Sequence, residues 1–303
     1  KIANGEEVEF KEQNKNQTQI SELSNAFNLM TNELKQNLNE VAKQKRQIET
    51  ILLHMTDEII AQMTLCGVEL AINNSCDFAT MHSGVALADK YEQIFATVGM
   101  HPHDSKSFDD AFERDMRALA ANPKVVAVGE IGLDYHYDLS DRDVQRDVFA
   151  RQIEIADELK LPLTLHIREA YGDALDILRA QKKHLSSGVL WHCYSGSVEL
   201  ARQLVREGHY FAFGGAITFK NAKKEDVITA VPIDRVMTET DSPYMTPVPL
   251  RGTINTPCNI PLVLAGLAEV YGTDKQTLDR QIRANVMRYF PKLAAYTMAH
   301  EQK

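Results

Sequence analysis

The chain has 303 residues, 44% of them hydrophobic and 25% charged, so it can form one large barrel or two ordinary globular domains. Its formal net charge of -9 excludes strong non-specific attraction to nucleic acid, because neutralising phosphates takes an excess of Lys and Arg. A phosphodiester substrate would therefore need metal ions and a few local cations.

Cysteine usage and hydropathy indicate the compartment. The four cysteines, Cys66, Cys76, Cys193 and Cys258, form no CxxC pair, and no secretory signal pattern is visible, so we expect reduced thiols and a cytoplasmic protein. No run of 18 or more apolar residues occurs, so we also expect no membrane span.

Residues 1–60 contain no Pro, and Gly5 is their only Gly. Apolar residues recur there at a spacing of seven, as Phe27, Leu34, Val41, Ile48 and Met55. This pattern predicts a coiled coil that forms a homodimer through residues 20–55. A single amphipathic helix lying on the rest of the chain, or disorder, is the alternative.

The amino-acid sequence of the same segment resembles the end of a HAMP signalling module. IANGEEVEF resembles the connector of such a module, and ISELSNAFNLMTNELKQNL resembles its second helix. KQKRQIETILLHMTDEII resembles the linker that follows in sensor histidine kinases of the WalK type. The resemblance implies a helical relay without chemistry, so we treat residues 1–60 and 61–303 as separate domains.

From Gly67 onward, short apolar runs alternate with helical stretches. The runs are VELAINN (68–74), IFATVG (94–99), VVAVGE (125–130), LPLTLHI (161–167), GVLWHC (188–193), YFAFGG (210–215) and RVMTET (235–240). The helical stretches include Phe108–Ala121, Asp143–Leu159 and Val198–Glu207.

This repeat of strand and helix indicates an α/β fold with a parallel sheet buried on both faces. Seven units predict a TIM (β/α)8 barrel whose first strand is missing or replaced. A doubly wound open sheet is the alternative, but no GxGxxG follows the first run.

Polar residues follow the ends of these strands, where a barrel builds its active site. The candidates are His101 in VGMHPHD, Glu130 in VGEIGLDYH, His166 and Arg168 in LHIR, His192 in WHCYSGS and Asp241 in ETDSPY. A single histidine at a strand end is usually a packed residue. Two histidines, a glutamate and an aspartate from four strands instead indicate a metal site, because imidazole and carboxylate suit Zn, Mn or Mg.

Such a ligand set suits the hydrolysis of a phosphodiester. A carboxylate can bridge two metal ions, which together contact the attacking and the leaving oxygen, and bound metal activates water. An aspartate beside the metal can accept the proton of that water, and an arginine can bind two phosphate oxygens at once.

The motifs VGMHPHD, VGEIGLDYH, LPLTLHIRE, HCYSGS, FGGAITFKNAK and ETDSPYMTP resemble those of TatD-type metal-dependent hydrolases, commonly described as deoxyribonucleases. The resemblance extends over residues 61–291 and is clearest from Gly67 to Phe290. It implies a TIM barrel, a site for two divalent ions (Mg, Mn or Zn) and exonuclease-like cleavage of DNA.

The resemblance also implies roles for individual residues. Glu130 would be the bridging and catalytic carboxylate, and His166 and His192 would be ligands of one metal. Asp241 would be both a ligand and the catalytic proton acceptor.

Other residues of the same motifs have supporting or alternative roles. By the resemblance, His101 and Arg168 would face the substrate phosphate. Asp134 either orients a ligand histidine or caps a turn, and Glu239 is expected to be a buried partner of Arg or Lys rather than a metal ligand. Asn285 and Phe290, in RANVMRYF, are expected to serve packing. Three tyrosines either stack on bases or pack at the rim of the site: Tyr135, Tyr194 and Tyr244.

The family's opening strand carries a His-x-His pair that holds the second metal, but upstream of Gly67 this sequence has only His54. One hypothesis is that residues 50–55 replace the strand and present His54. The competing hypothesis is a chimera with an impaired site, or a dimeric signalling protein. Amidohydrolase-like action on another substrate is a third possibility, because similar barrels carry varied chemistries.

Overall fold

The computed structural model describes residues 59–185, 188–220, 222 and 224–300. From Gln62 onward these residues belong to one compact unit. The predicted coiled coil, the HAMP-like relay and the strand at residues 50–55 lie outside the described residues, so they stay predictions.

A seven-stranded parallel sheet forms the centre of this unit. Its strands are β1 (Ala71–Asn73), β2 (Ile94–Val98), β3 (Val125–Asp134), β4 (Leu163–Arg168), β5 (Val189–Trp191), β6 (Tyr210–Phe213) and β7 (Val236–Thr238). Each strand pairs in parallel with the next one in sequence. All seven predicted strands are confirmed. The doubly wound alternative is wrong, because such a sheet reverses its strand order and this one does not.

Helices connect the strands and follow the last one. They are α1 (Phe78–Lys90), α2 (Asp110–Ala120), α3 (Arg142–Leu159), α4 (Tyr171–Ala180), α5 (Val198–Arg206), α6 (Glu225–Ala230), α7 (Ile260–Tyr271), α8 (Lys275–Tyr289) and α9 (Pro291–His300). Side-chain caps begin four of them, at Asp77, Asp109, Ser197 and Asp274. These residues satisfy backbone N–H groups that the first helical turn leaves without partners.

The sheet curls into a partial barrel with β1 and β7 as its edges. Within the described residues these two strands do not pair with each other. The described residues therefore supply seven strands of a TIM-type barrel, which confirms the predicted fold class. A replacement for the first strand would lie outside the described residues.

The C-terminal helices close one end of the core. Tyr289, Phe290 and Leu293 are buried in a cluster with residues of β2, β3, β5, β6 and β7. Asn285 is fully buried, and its Nδ2 donates to the carbonyl oxygens of Ile233 and Val236. The predicted packing roles of Asn285 and Phe290 are confirmed.

The register between β3 and β4 depends on Gly132. Gly132 lies opposite His166, and Asp134 lies opposite Arg168. At Gly132 the backbone has φ of 143°, and a Cβ atom would overlap the carbonyl oxygen of His166. Only glycine permits this approach, so it fixes which side chains of β3 meet those of β4.

No helix among the described residues combines the length and the apolar character that crossing a membrane requires.

His209 precedes β6 and is buried away from the polar edge of the sheet. Its ring lies 6.0 Å from that of Trp191, and Nε2 lies 3.6 Å from Glu207 Oε2. Burial lowers the pKa of His209 to about 4, although the Glu207 carboxylate opposes the shift. The folded state therefore holds this imidazole neutral at a pH where the unfolded chain protonates it.

We expect His209→Leu to flatten the dependence of stability on pH. Because the folded pKa is depressed, the stabilisation by neutral His209 is complete above pH 6.5, the ordinary pKa of histidine, and is lost as the pH falls toward about 4. Urea unfolding at pH 7 and pH 4 should show that the wild type loses on the order of 2–3 kcal/mol more than the variant. Equal losses in the two proteins would contradict this account.

Candidate active site

A buried carboxylate, Glu130, lies at the centre of the candidate site, within β3. Its Oε1 accepts a hydrogen bond from His166 Nδ1 at 2.8 Å and lies 3.6 Å from His192 Nε2. Its backbone N–H donates to the Ser75 carbonyl oxygen at 2.8 Å. Burial alone would raise the pKa of Glu130, but His192 and His166 outweigh it and hold that pKa far below its usual range.

His166 lies near the end of β4 between two carboxylates. Its Nδ1 faces Glu130, and its Nε2 is 3.0 Å from Asp134 Oδ2. Burial lowers the pKa of His166, but the hydrogen bonds to Asp134 and Glu130 raise it to about 9. The imidazole is therefore fixed on both edges.

Asp134 ends β3 and has no exposed surface. Its Oδ2 contacts His166 and also lies 3.0 Å from His103 Nε2. Its Oδ1 accepts the backbone N–H groups of His136 and Tyr137, both at 3.0 Å. Asp134 thus orients the histidine and also caps the turn that follows β3, so both predicted roles are present.

His192 directly follows β5 and has a carboxylate partner of its own. Its Nδ1 lies 2.5 Å from Glu239 Oε2, and Glu239 Oε1 accepts the N–H of Cys193 at 2.9 Å. The expectation that Glu239 pairs with Arg or Lys is wrong, because curling of the sheet brings the ends of β5 and β7 together. Burial lowers the pKa of His192, but the carboxylates of Glu130 and Glu239 raise it well above its ordinary value.

These contacts form a continuous series in which carboxylates and imidazoles alternate. In order, the series consists of Glu239, His192, Glu130, His166, Asp134 and His103. We refer to it as the carboxylate–imidazole chain. Alternating charge compensates the burial of each carboxylate, which alone would be costly.

Asp241 lies beside this chain at the solvent boundary, with its side chain 39% exposed. Its Oδ1 is 3.7 Å from His192 Nε2, which is beyond hydrogen-bonding distance. Its backbone has φ of 56°, a left-handed conformation that aspartate adopts more readily than most residues. Its carboxylate is thus directed to the same edge as Glu130 while reaching solvent.

His101 is buried beside His166, with ring centroids 4.3 Å apart. Its Nδ1 accepts the backbone N–H of His103 at 3.2 Å. Burial and the neighbouring His166 lower the pKa of His101 to about 3. The imidazole is therefore neutral, and because Nδ1 is an acceptor, Nε2 carries the hydrogen.

Arg168 is the last residue of β4, and its side chain is exposed. Its Cζ atom lies 4.8 Å from the ring centroid of Tyr137. The part of the chain that the structure describes supplies no carboxylate within ion-pair distance of Arg168. Its charge is therefore available to an anionic ligand at the edge of the site.

The donor set fits a divalent cation. Glu130, His166 and His101 each offer a ligand atom within 4.8 Å of the others, and His192 Nε2 lies 3.6 Å from Glu130. Imidazole nitrogens favour Zn and similar transition metals, whereas carboxylate oxygens also bind Mn and Mg.

A curled parallel sheet with the carboxylate–imidazole chain at its carboxyl edge defines a metal-dependent hydrolase of the barrel class. The chain belongs to the TatD family, because residues 32–291 match the family model described as TatD related DNase. The match begins inside the segment 1–60 that the sequence pattern set apart.

Individual relatives agree with this assignment. The chain is 38% identical to "Uncharacterized metal-dependent hydrolase YabD" of Bacillus subtilis over 215 residues, which cover 71% of this chain and 84% of the relative. It is 33% identical to "3'-5' ssDNA/RNA exonuclease TatD" of Cronobacter sakazakii over 248 residues, 80% of this chain and 94% of the relative. The crystal structure of YjjV, a TatD homologue from Escherichia coli, superposes with a TM-score of 0.73 at 28% identity, covering 78% of this chain and 92% of that one.

We expect Glu239→Gln to weaken metal binding without removing a ligand. The amide can no longer supply the charged acceptor that orients His192, and such outer carboxylates contribute about 10- to 100-fold to metal affinity. Competition against a metal-sensing dye measures the affinity directly. Glu269→Gln, on the exposed surface of α7, is the matched control, and equal affinities in both variants would argue against this role of Glu239.

Proposed function

We propose that this protein hydrolyses phosphodiester bonds of DNA in an exonuclease-like reaction that needs a divalent cation. The observation that carries the proposal is the position of Glu130 between His166 and His192, with Asp241 and Arg168 at the solvent side of the same edge. The relative named as a single-stranded DNA and RNA exonuclease supports the choice of substrate.

In this proposal Glu130, His166 and His192 hold the cation, and Asp241 completes its ligand set. A bound divalent ion would supply Lewis acidity toward the phosphate and would lower the pKa of water. Glu239 orients the imidazole of His192 through Nδ1. The carboxylates of Glu239 and Asp134, on the far edges of His192 and His166, thus keep the ligand nitrogens directed toward Glu130.

Proton transfer belongs to Asp241. Its carboxylate is partly exposed and has no hydrogen bond to His192, so it is able to accept a proton from the attacking water. Glu130 is less suited to this task, because its buried carboxylate already accepts from His166 and has a strongly lowered pKa.

The substrate phosphate is bound by His101 and Arg168. The neutral imidazole of His101 presents Nε2–H as a hydrogen-bond donor, since its Nδ1 accepts from the His103 backbone. The guanidinium of Arg168 adds a charged, planar donor that matches two phosphate oxygens. Together they supply the local positive character that a chain of net charge -9 lacks overall.

The second cation of the family needs further ligands. The histidine pair that the family resemblance implies is absent upstream of Gly67, where His54 is the only histidine, and His54 lies outside the described residues. The proposal therefore rests on the ligands around Glu130 alone.

The test is hydrolysis of single-stranded DNA labelled at either end, with Mg²⁺ or Mn²⁺ added. We expect stepwise shortening, and we expect Glu130→Gln to slow it at least about 100-fold, as removal of a key electrostatic group does in other enzymes. Comparison of the two labels gives the direction of cleavage.

Glu269→Gln, purified in parallel, controls for the general effect of neutralising a carboxylate outside the site. It should retain the wild-type rate. Shortening of the DNA at equal rates by Glu130→Gln and the wild type would show that the activity does not belong to this site.

A further inference from the structure

Tyr137 is a large aromatic side chain that the fold leaves open to solvent. It lies in the loop between β3 and α3 and is 53% exposed. A buried ring contributes to stability by removing apolar surface from water, whereas a ring this exposed contributes little. The fold of the barrel therefore does not explain why an aromatic residue occupies this position.

The position of Tyr137 is nevertheless fixed relative to the carboxylate–imidazole chain. Its backbone N–H donates to Asp134 Oδ1, and Asp134 Oδ2 contacts His166 and His103. Its ring meets the ring of His103 edge-on at 5.4 Å and that of His136 at 4.8 Å. One carboxylate thus positions both the ligand His166 and the exposed ring.

The guanidinium of Arg168 lies over the Tyr137 ring and forms no ion pair with a carboxylate among the described residues. The Cζ atom of Arg168 is 4.8 Å from the Tyr137 ring centroid. The adjacent Glu169 pairs with His136 instead, at 2.8 Å. The guanidinium can therefore contact the ring and bind a phosphate at the same time.

The neighbouring pair of Arg142 and Tyr135 shows what a saturated arrangement looks like. Arg142 also lies over a tyrosine ring, at 4.3 Å, but it makes two hydrogen bonds to Asp138. The hydroxyl of Tyr135 donates to Asp173 at 2.5 Å. The polar groups of Arg142 and Tyr135 are thus bonded to carboxylates of the protein, whereas the guanidinium of Arg168 remains able to bind a phosphate.

We infer that Tyr137 and Arg168 form a nucleotide subsite, in which Arg168 binds a backbone phosphate and the ring of Tyr137 stacks on the neighbouring base. The inference rests on the proposed function and defines how the substrate is recognised. Stacking needs a base whose face is open, so the subsite selects single-stranded over duplex nucleic acid. It tolerates any base sequence, because every base has an aromatic face.

Stacking of a base on Tyr137 also compensates for the unfavourable net charge of the protein toward nucleic acid. A protein with net charge -9 cannot draw nucleic acid by long-range attraction. Base stacking does not depend on the net charge of the protein. The anchored ring of Tyr137 beside Arg168 therefore gives affinity where general electrostatics is unfavourable.

The test is equilibrium binding in a Glu130→Gln background, so that the ligand is not cleaved. Fluorescence anisotropy compares a short labelled single-stranded oligodeoxynucleotide with an abasic deoxyribose-phosphate chain of equal length. We expect Tyr137→Leu to weaken binding of the oligonucleotide roughly 5- to 100-fold and to leave binding of the abasic chain unchanged. Tyr137→Phe, which keeps the ring, should match the parent.

Two outcomes would overturn the inference. One is that Tyr137→Leu binds both ligands as the parent does, and the other is that it loses both equally. Retained binding of the abasic chain also shows that the variant is folded. Hydrolysis of DNA by the wild type distinguishes failure of this inference from failure of the proposed function. If Tyr137 does not stack on a base, the wild type still hydrolyses DNA.

Arg168→Met tests the phosphate half of the subsite. It should weaken binding of the oligonucleotide and the abasic chain alike, and it should reduce the slope of log affinity against log salt by about one. Weakening confined to the oligonucleotide would contradict the assignment of Arg168 to a phosphate.

Discussion

The burial of one negative charge, that of Glu130, is the constraint on which the rest of this structure depends. A carboxylate removed from water is costly unless positive or hydrogen-bonding groups surround it, and here His166 and His192 do so. Each imidazole then needs a carboxylate on its far edge, which Asp134 and Glu239 provide. Because these residues come from β3, β4, β5 and the segment after β7, the compensation is possible only if the ends of those strands converge. The site can therefore form only in a sheet that curls enough to bring these strand ends together.

Much of this arrangement is visible in the sequence, for a definite reason. Strands buried on both faces, such as β2, β3, β5 and β6, are continuous apolar runs and were therefore predictable, and residues that follow the strands must lie at one edge of a parallel sheet. The partner of Glu239 was not predictable, because its contact with His192 depends on how strongly the sheet curls. Tyr137 was not among the tyrosines that the sequence analysis proposed for stacking, whereas Tyr194, which was, is almost fully buried. Periodicity gives the face of a strand but not the exposed fraction of a loop side chain.

Substrate recognition and metal binding share structural supports in this proposal. Asp134 contacts His166 with one carboxylate oxygen and positions Tyr137 with the other. A displacement of this residue would therefore disturb both the ligand and the stacking surface. Such sharing is economical in a protein whose surface charge gives no general affinity for polyanions, because alignment of phosphate and base has to come from a few fixed groups.

The open side of the sheet has a consequence for how the chain folds. Every strand pairing in the described sheet joins neighbours in sequence, so none of them requires distant parts of the chain to meet. Long-range closure falls instead to the C-terminal helices, where Arg283 pairs with Glu69 beside β1 and Lys292 Nζ donates to the carbonyl oxygens of Ala120 and Asn122. Pairing between neighbours in sequence allows the sheet to grow by successive addition of strand and helix units. The last two helices would then dock late, and their contacts would join the first units of the sheet to its final ones.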